Sequence, residues 1–263
     1  MCLIALAWQT DPERPLVLIA NRDEFHERPA APLAFWDDAP EIAAGRDLRE
    51  HGTWLGLSRR GRMAAVTNVR EPQEGGRRFA RSRGALTTEF LLGQSSATAH
   101  VQTLMRDAHQ FGGFNLLLWD GVELVYASNR PTPNWHRVEP GVHGLSNARL
   151  DTPWPKTLWA QQQIGAWMRG SDAASESLLS AMTSREVPAD AALPDTGVGI
   201  EAERLLAPPF IYRPGYGTRC TTWLQIDGRG HAQIRERRYD GQAQPAGDAA
   251  LDFDFQPPAI RPA

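Results

Sequence analysis

The feature that most constrains this fold is a recurring pair of short apolar runs joined by a turn. The runs are rich in β-branched and aromatic side chains, and Gly, Pro, Asn or Asp residues bound them, which is typical of β-hairpins. The hairpins predicted in this way join residues 3–8 to 16–20, 54–58 to 63–67, 114–119 to 122–127, and 221–226 to 231–237. Short strands are also predicted at 135–138 and 142–145, and an irregular Pro-rich stretch at 28–40.

The first hairpin brings the N-terminus next to a polar tetrapeptide. Its turn lies in Gln9–Pro15. If the turn is centred near Pro12, the numbers of paired residues sum to about 24. The pairing therefore predicts that Cys2 lies opposite Arg22, within the segment Asn21–Glu24.

Helical segments separate the hairpins. Helical spacing is found at 85–92, 97–109, 154–168 and 173–182, and residues 186–209 form a loop-rich insertion. The order predicts an α+β fold with two mostly antiparallel sheets, covered by helices on both outer faces. We expect a single domain over residues 1–263, whose Pro-rich, acidic tail is partly loose from about residue 241.

Composition argues against several classes of partner. The formal net charge is -3 and the basic residues are scattered, which disfavours nucleic acid as a partner. No apolar stretch approaches the roughly 18 residues of a membrane span, and the N-terminus lacks a basic n-region. We therefore expect a cytoplasmic protein without an integral membrane segment. Its two cysteines do not indicate a disulfide framework.

Metal sites are not indicated by the pattern of His and Cys residues. The seven histidines are dispersed, and neither His-x-x-x-His nor Cys-x-x-Cys occurs. The absence of Cys-x-x-Cys-His excludes covalent haem attachment by pattern. A noncovalent haem ligand such as His143 or His26 stays open.

Cys2 follows the initiator methionine, which is normally trimmed before a residue this small. The mature chain then carries a thiol and a free α-amine on one residue. An α-amine with a pKa of about 8 can accept the thiol proton near neutral pH. Arg22 nearby would lower the pKa of the thiol. The alternative is a small, buried and inert cysteine at a strand start.

Several short segments strengthen the catalytic interpretation because they resemble one family in order. They run over about residues 1–226 and are Met1–Leu3, Ala20–Glu24, Gly52–Gly56, Thr67–Arg70, Ser82–Gly84, Phe114–Leu117, Gly144–Asn147, Leu150–Lys156 and Tyr216–Arg219. They resemble the NRDE family, which is also called the transport and Golgi organisation protein 2 family. That family resembles the cysteine N-terminal nucleophile hydrolases of the cholylglycine hydrolase and penicillin V acylase branch.

The resemblance implies a four-layer αββα sandwich and a set of site residues. The residues carried over are Cys2 as nucleophile, Arg22 with Asp23 or Glu24, Asn68 and Asn147 at the oxyanion, and Arg219. One departure concerns the acid, because the acylases place two residues between their Arg and Asp. Here Arg22 and Asp23 are adjacent, and adjacent side chains on a strand point to opposite faces. Asp23 and Glu24 both stay open as the acid.

Two functions follow from this reasoning. The first is a cysteine amidohydrolase that acts on a C–N amide bond and requires no cofactor. The second is a non-enzymatic protein that binds and traffics haem, lipid or acyl-CoA on the same scaffold. In both cases we expect a small-molecule partner, apolar or amide-bearing, and the sequence sets no oligomeric state.

Overall fold

The computed structural model describes residues 2–71, 78–170 and 174–255. Its strands form two antiparallel sheets of seven strands each. In spatial order sheet A contains β10 (Gly141–Leu145), β1 (Cys2–Trp8), β2 (Leu16–Phe25), β12 (Tyr216–Ile226), β13 (His231–Tyr239) and β14 (Pro245–Asp254), with β11 (Tyr212–Arg213) paired to β12. Sheet B contains β3 (Ala30–Trp36), β4 (Ala39–Asp47), β5 (Leu55–Ser58), β6 (Arg62–Asn68), β7 (Phe114–Trp119), β8 (Leu124–Ser128) and β9 (Asn134–Arg137).

Helices cover the outer face of each sheet. They are α1 (Arg83–Leu92), α2 (Ala97–Leu104), α3 (Pro155–Arg169), α4 (Ser175–Ala181) and α5 (Ile200–Leu206), with short 3-10 turns at Ala108–Gln110 and Asp190–Ala192. Helices α1 and α2 pack on sheet B, and α3 and α4 pack on sheet A. A third apolar layer fills the space between the two sheets. The four-layer αββα sandwich of the α+β class is therefore confirmed.

Alternation along the strands explains this layering. In β1, Ile4 and Leu6 point between the sheets, whereas Leu3 and Ala5 point toward α3. Both faces of the strand are buried, which is why its sequence is a continuous apolar run rather than an alternating one. The register predicted for the first hairpin is confirmed, because Cys2 lies opposite Arg22.

Two strands occupy the stretch that was expected to be irregular. Residues 30–36 and 39–47 form β3 and β4. The pairing of β3 with β4 shifts register twice, and β3 is an edge strand, where Pro32 does not have to donate a ladder hydrogen bond. The expectation of irregular structure at 28–40 is wrong for this reason.

The tail also differs from the expectation. It was predicted to be loose from about residue 241, but residues 245–254 form β14 at the edge of sheet A. Pro245 opens this strand, and most of its residues are exposed, so its sequence is polar. Residues 256–263 lie outside the described residues.

The remaining elements largely follow the predicted pattern. The insertion at 186–209 contains α5, and the helix expected from residue 173 begins at Ser175 among the described residues. Within the described ranges, no helix combines the length and the apolar character needed to cross a membrane.

Candidate functional site

A cleft of about 1420 Å³ is lined by the ends of strands from both sheets. Sheet A contributes Cys2, Arg22 and Cys220, and sheet B contributes Asn68. Segment 78–84 and Tyr216 add further walls. The N-terminal strand therefore begins at a large cleft.

Cys2 is held on the sheet face that lines this cleft. It lies opposite Arg22 and is 7% exposed. Its side chain is on the same face of β1 as that of Ile4, which points between the sheets. Burial raises the pKa of its thiol, and the negative charge of Asp23 adds to this effect. Arg22 acts in the expected direction and lowers the pKa, but it does not compensate for burial. The resting thiol is therefore protonated at neutral pH and needs a base to react.

The backbone of Cys2 is fixed by a buried polar chain. Ser146 donates from its hydroxyl to the carbonyl oxygen of Cys2 at 3.0 Å. Thr67 in turn donates to the carbonyl of Ser146 at 2.6 Å, and Asn115 donates to the hydroxyl of Thr67 at 3.2 Å. This chain links β1, β6, β7 and β10, so both sheets position the N-terminal residue.

Arg22 is the charged neighbour of the thiol. Its guanidinium lies 3.8 Å from the carboxylate of Glu24 and 3.7 Å from that of Asp47. Asp47 is engaged more closely by Arg28, at 2.5 Å. Arg22 is thus held at the cleft by two weak ion pairs rather than by one close ion pair. Part of its positive charge therefore acts on other groups in the cleft.

Asp23 lies on the opposite face of β2, as strand alternation requires. The strand continues to Phe25, so it does not end early. The carboxylate of Asp23 accepts a hydrogen bond from the hydroxyl of Thr218 at 2.7 Å, and Tyr216 donates to its backbone carbonyl at 3.3 Å. Burial raises the pKa of this carboxyl, against the lowering effect of Lys156.

A register shift in β12 makes this arrangement possible. Cys220 pairs with Arg22 and Thr218 pairs with Asp23, so two steps on β12 match one on β2, and Arg219 is the extra residue. Cys220 therefore faces the cleft beside Arg22, whereas Thr218 faces the helices beside Asp23. Glu24 points toward Arg22, and Asp23 is the acid whose backbone amide reaches the thiol.

The two asparagines are brought together but have different positions. Asn68 lines the cleft, and its Nδ2 has only a long contact of 3.5 Å with the carbonyl of Val69. Asn147 is 1% exposed and donates from Nδ2 to both the backbone carbonyl and Oδ1 of Asn68, at 3.0 and 3.1 Å. In this geometry Asn68 presents a donor to the cleft, and Asn147 orients it from behind.

Arg219 lines the cleft but its side chain is committed to the backbone. It donates from one terminal nitrogen to the carbonyls of Phe25 and Arg28, at 2.9 and 3.0 Å. Burial and the neighbouring charge of Arg22 lower the pKa of its guanidinium. Arg219 thus fastens the end of β2 and adds positive potential to the cleft.

Sequence reasoning missed a buried charge cluster that adjoins the cleft. Lys156 is 3% exposed and donates to the carbonyl of Leu206 at 3.0 Å. Beside it, Arg70 forms an ion pair with Glu203 at 2.6 Å, with both side chains almost fully buried. Lys156 belongs to a segment that carried the family resemblance, but nothing in one sequence indicates that this lysine is buried.

Among residues 2–71, 78–170 and 174–255, no group of three or more His, Cys, Asp or Glu side chains could hold a metal. Both ring nitrogens of His143 are engaged, one by Asp151 and one by the carbonyl of Glu139, each at 2.8 Å. Neither His143 nor His26 is among the described lining of the cleft. Haem binding stays a prediction.

The chain is similar to known proteins over most of its length. The model of the family described as Transport and Golgi organisation 2 matches residues 1–241. Over 261 residues the chain is 34% identical to the human Transport and Golgi organization protein 2 homolog, which covers 90% of this chain and 92% of that protein. The Drosophila melanogaster Transport and Golgi organization protein 2 is 24% identical over 291 residues, covering 97% of this chain and 99% of that protein.

A solved structure resembles most of this fold. It is the Caenorhabditis elegans ortholog of N-acylethanolamine-hydrolyzing acid amidase, with a TM-score of 0.50 and 10% sequence identity. The match covers 85% of this chain and 92% of that one. The sandwich is therefore of the N-terminal nucleophile hydrolase type.

Proposed function

We propose, from the premise that this chain belongs to the Transport and Golgi organisation 2 family, that it is a cysteine amidohydrolase acting on a C–N amide bond. The observation that carries the proposal is the placement of Cys2. This residue opens an interior strand of sheet A, faces a large cleft, and lies directly opposite Arg22. Only an N-terminal cysteine at this point can bring a thiol and an α-amine to the cleft together.

The mechanism needs the α-amine as base because the thiol is protonated at rest. The Cys2 sulfur attacks the amide carbon while the α-amine takes the thiol proton, and the C=O electron pair moves to oxygen. Collapse of this intermediate breaks the C–N bond, and the leaving amine takes the proton from the α-ammonium. Water then adds to the thioester in the same way, and the carboxylic acid leaves as the C–S bond breaks.

Neighbouring residues are assigned by their positions. Asn68 is the side chain whose Nδ2 can donate to the oxyanion, at the roughly 3 Å such donors require. Asn147 orients Asn68, and Arg22 with Arg219 supplies positive potential at the site. Asp23 holds the α-amine from the opposite face of β2.

A protein of similar fold suggests which substrates to test first. The Caenorhabditis elegans protein is named for the hydrolysis of N-acylethanolamines, which are amides of fatty acids. At 10% identity this likeness shows the fold alone. It supports the choice of N-acyl amides as the first substrates to test.

The cleft lining favours a second candidate, a carrier for an anionic ligand such as haem or acyl-CoA. Its described arginines are Arg22, Arg28, Arg46, Arg49, Arg70, Arg78, Arg81, Arg83, Arg219 and Arg238. Its carboxylates are fewer, namely Asp23, Glu24, Asp47, Glu50, Glu71, Glu236 and Asp240. This positive surplus contrasts with the formal net charge of -3 for the whole chain.

The test begins with the maturation of the chain and its thiols. Intact mass should show that Met1 is absent, because a retained methionine removes the free-amine mechanism. The purified protein is then incubated with a panel of N-acyl amides, and release of the amine is measured. We expect turnover that is lost in Cys2→Ala and retained in Cys220→Ala, which removes the other thiol of the chain.

The same preparations decide between the two candidates. If both cysteine variants release amine at equal rates, Cys2 is not the nucleophile. If the wild type turns over nothing but binds haem or acyl-CoA at micromolar concentration, the carrier function replaces the hydrolase. No spectral shift with haem would remove the haem version of the carrier.

We also propose a cytoplasmic location. Both cysteines are free and buried, and thiols persist in this state in a reducing compartment. Fractionation of cells that express a tagged chain tests this, and recovery in an oxidising compartment would contradict it.

A further inference from the structure

Four residues of the cleft form one row across the strands of sheet A. Cys2 on β1 lies opposite Arg22 on β2, whose other neighbour is Cys220 on β12. Cys220 in turn lies opposite Arg238 on β13. Residues directly opposite each other on antiparallel strands share one face of the sheet, and all four line the cleft. The row therefore leads from the proposed nucleophile along the cleft to Arg238.

The row ends at a glycine that makes room for the last arginine. Arg238 lies opposite Gly247 on β14, and a Cβ added to Gly247 would lie 2.6 Å from a terminal nitrogen of Arg238. The guanidinium therefore lies over the backbone of Gly247, in space that a side chain would occupy. Because neighbouring strands are about 4.8 Å apart, this guanidinium lies three to four strand spacings, or roughly 14–19 Å, from Cys2.

The charge of Arg238 is not neutralised by the acids around it. Its Nε is buried without a hydrogen-bond partner, and no carboxylate in the described segments of the chain forms an ion pair with it. Glu236 accepts from a backbone amide of β3 at 2.9 Å, and Asp240 accepts from two amides of its own turn. Asp248 is paired with Arg237 at 2.7 Å. An arginine left unpaired at the wall of a cleft is suited to bind an anion.

The stretch of cleft between Cys2 and Arg238 has room for a chain without charges. Burial raises the pKa of the Cys220 thiol well above its usual range, so this thiol is neutral. Glu236 reaches across to β3, and so the facing wall belongs to β3 and β4. The small residues of that wall are Ala30, Ala31 and Gly45.

We infer that Arg238 is a specificity residue, which binds a carboxylate at the far end of one arm of the amide substrate while the scissile carbonyl lies at Cys2. The inference rests on the proposed function, because it names the substrate class of that site. With bonds of about 1.52 Å and angles of about 111°, an extended chain advances about 1.25 Å per bond. An arm of roughly 11–15 bonds therefore joins the two positions.

A series of amides tests the length and the charge of this arm. One arm is varied in length and ends in a carboxylate or in its methyl ester, first on the acyl side and then on the amine side. We expect kcat/KM in one of the two series to be highest at roughly 11–15 bonds. There the carboxylate should exceed its ester by about 10- to 100-fold, because a hydrogen bond to a charged group is lost in the ester. Rates that depend on neither length nor charge in both series would overturn the proposal.

Arg238→Gln assigns the preference to this residue. It should raise KM for the carboxylates about 10- to 100-fold and leave kcat and the ester rates unchanged, because a remote group is bound equally before and in the transition state. The matched control is Arg235→Gln on the same strand. Arg235 lies opposite Trp223 on the outer face of sheet A, 3.6 Å from Asp252. A full carboxylate preference in Arg238→Gln, or an equal loss in both variants, would contradict the assignment.

The ester substrates also report whether each variant folds. Where Arg238→Gln is inactive toward the esters as well, Arg238→Lys is used, which keeps the charge but not the two parallel hydrogen bonds of a guanidinium. It should raise KM for the carboxylates severalfold and leave the esters unaffected. An unchanged KM for the carboxylates would overturn the proposal.

Binding without turnover separates this proposal from the proposed function. Calorimetry on Cys2→Ala compares the best carboxylate amide with its methyl ester, and the tighter binding of the carboxylate should be lost when Arg238→Gln is added. If the wild type hydrolyses no amide but this dependence on Arg238 is found, the hydrolase function fails and the anion site stands. If amides are hydrolysed and the carboxylate binds no tighter than the ester, the anion site alone is refuted.

Discussion

Asn21 offers the sharpest test of how the site is supported. Its side chain is completely buried, and Nδ2 donates to the carbonyls of Met182 and Pro209, at 2.9 Å each. Its Oδ1 accepts from the hydroxyl of Thr221 at 2.6 Å. Asn21 therefore ties β2 to the end of α4, to the segment after α5 and to β12, although it precedes the site residues and does not line the cleft.

The cost of Asn21→Leu follows from these contacts. The substitution keeps the branched shape of the side chain but leaves two buried carbonyls without their donor, at about 1–2 kcal/mol each. The Thr221 hydroxyl loses its acceptor on Asn21 but can still donate to the hydroxyl of Tyr239 at 3.3 Å, so its contribution to the loss of stability is smaller. We expect a decrease of about 3 kcal/mol in the free energy of unfolding, which corresponds to a fall in Tm of about 6–12 °C for a chain of this size.

Thermal unfolding followed by tryptophan fluorescence measures this change. The matched control is Asn134→Leu on edge strand β9. It removes one hydrogen bond, which the Asn134 side chain donates to the carbonyl of Thr132. It should cost less than about 0.5 kcal/mol. A loss below about 1 kcal/mol in Asn21→Leu would show that water reaches both carbonyls, and the structural role given to Asn21 would be wrong.

Two further predictions concern sheet B and its helices. A Cβ added to Gly52 would lie 2.6 Å from backbone atoms of Gly84, whereas one added to Gly84 would meet nothing closer than 3.3 Å. Gly52→Ala should therefore lower stability by about 3 kcal/mol and Gly84→Ala by clearly less, and equal Tm values would contradict the close approach. Burial, together with the charge of Arg62, lowers the pKa of His100 to about 4. Because the unfolded chain binds this proton first, stability should fall as pH decreases from about 6.5 to 4, by roughly 3 kcal/mol, and His100→Gln should reduce this loss in pH-dependent unfolding.

The fold could be predicted where local chemistry determines pairing. The turn at residues 9–15 fixes the register of β1 and β2, and this placed Cys2 opposite Arg22 without any tertiary information. The edge strands β3 and β14 escaped prediction because an edge tolerates Pro32 and Pro245 and a polar sequence. Their status as strands depends on neighbours far along the chain.

The site could be predicted only in part for a similar reason. The identity of Cys2 and Arg22 follows from one hairpin, and alternation along β2 sets the faces of Asp23 and Glu24. The β12 residues that lie beside Arg22 and Asp23 depend on the bulge at Arg219, which no local pattern indicates. Which asparagine faces the cleft depends on a tertiary contact, in which Asn147 donates to Asn68 from behind. Lys156 was missed because its burial arises from the packing of α3 on sheet A.

The pairing of β2 with β12 has a consequence for the synthesis of the chain. The two strands lie side by side in sheet A although Asn21 and Thr221 are 200 positions apart. On the ribosome, the hairpin of β1 and β2 therefore waits for most of the chain before its neighbour emerges. Cys2 is almost fully enclosed once β12 has docked. We therefore predict that an aminopeptidase trims Met1 during translation, before β12 docks beside β2.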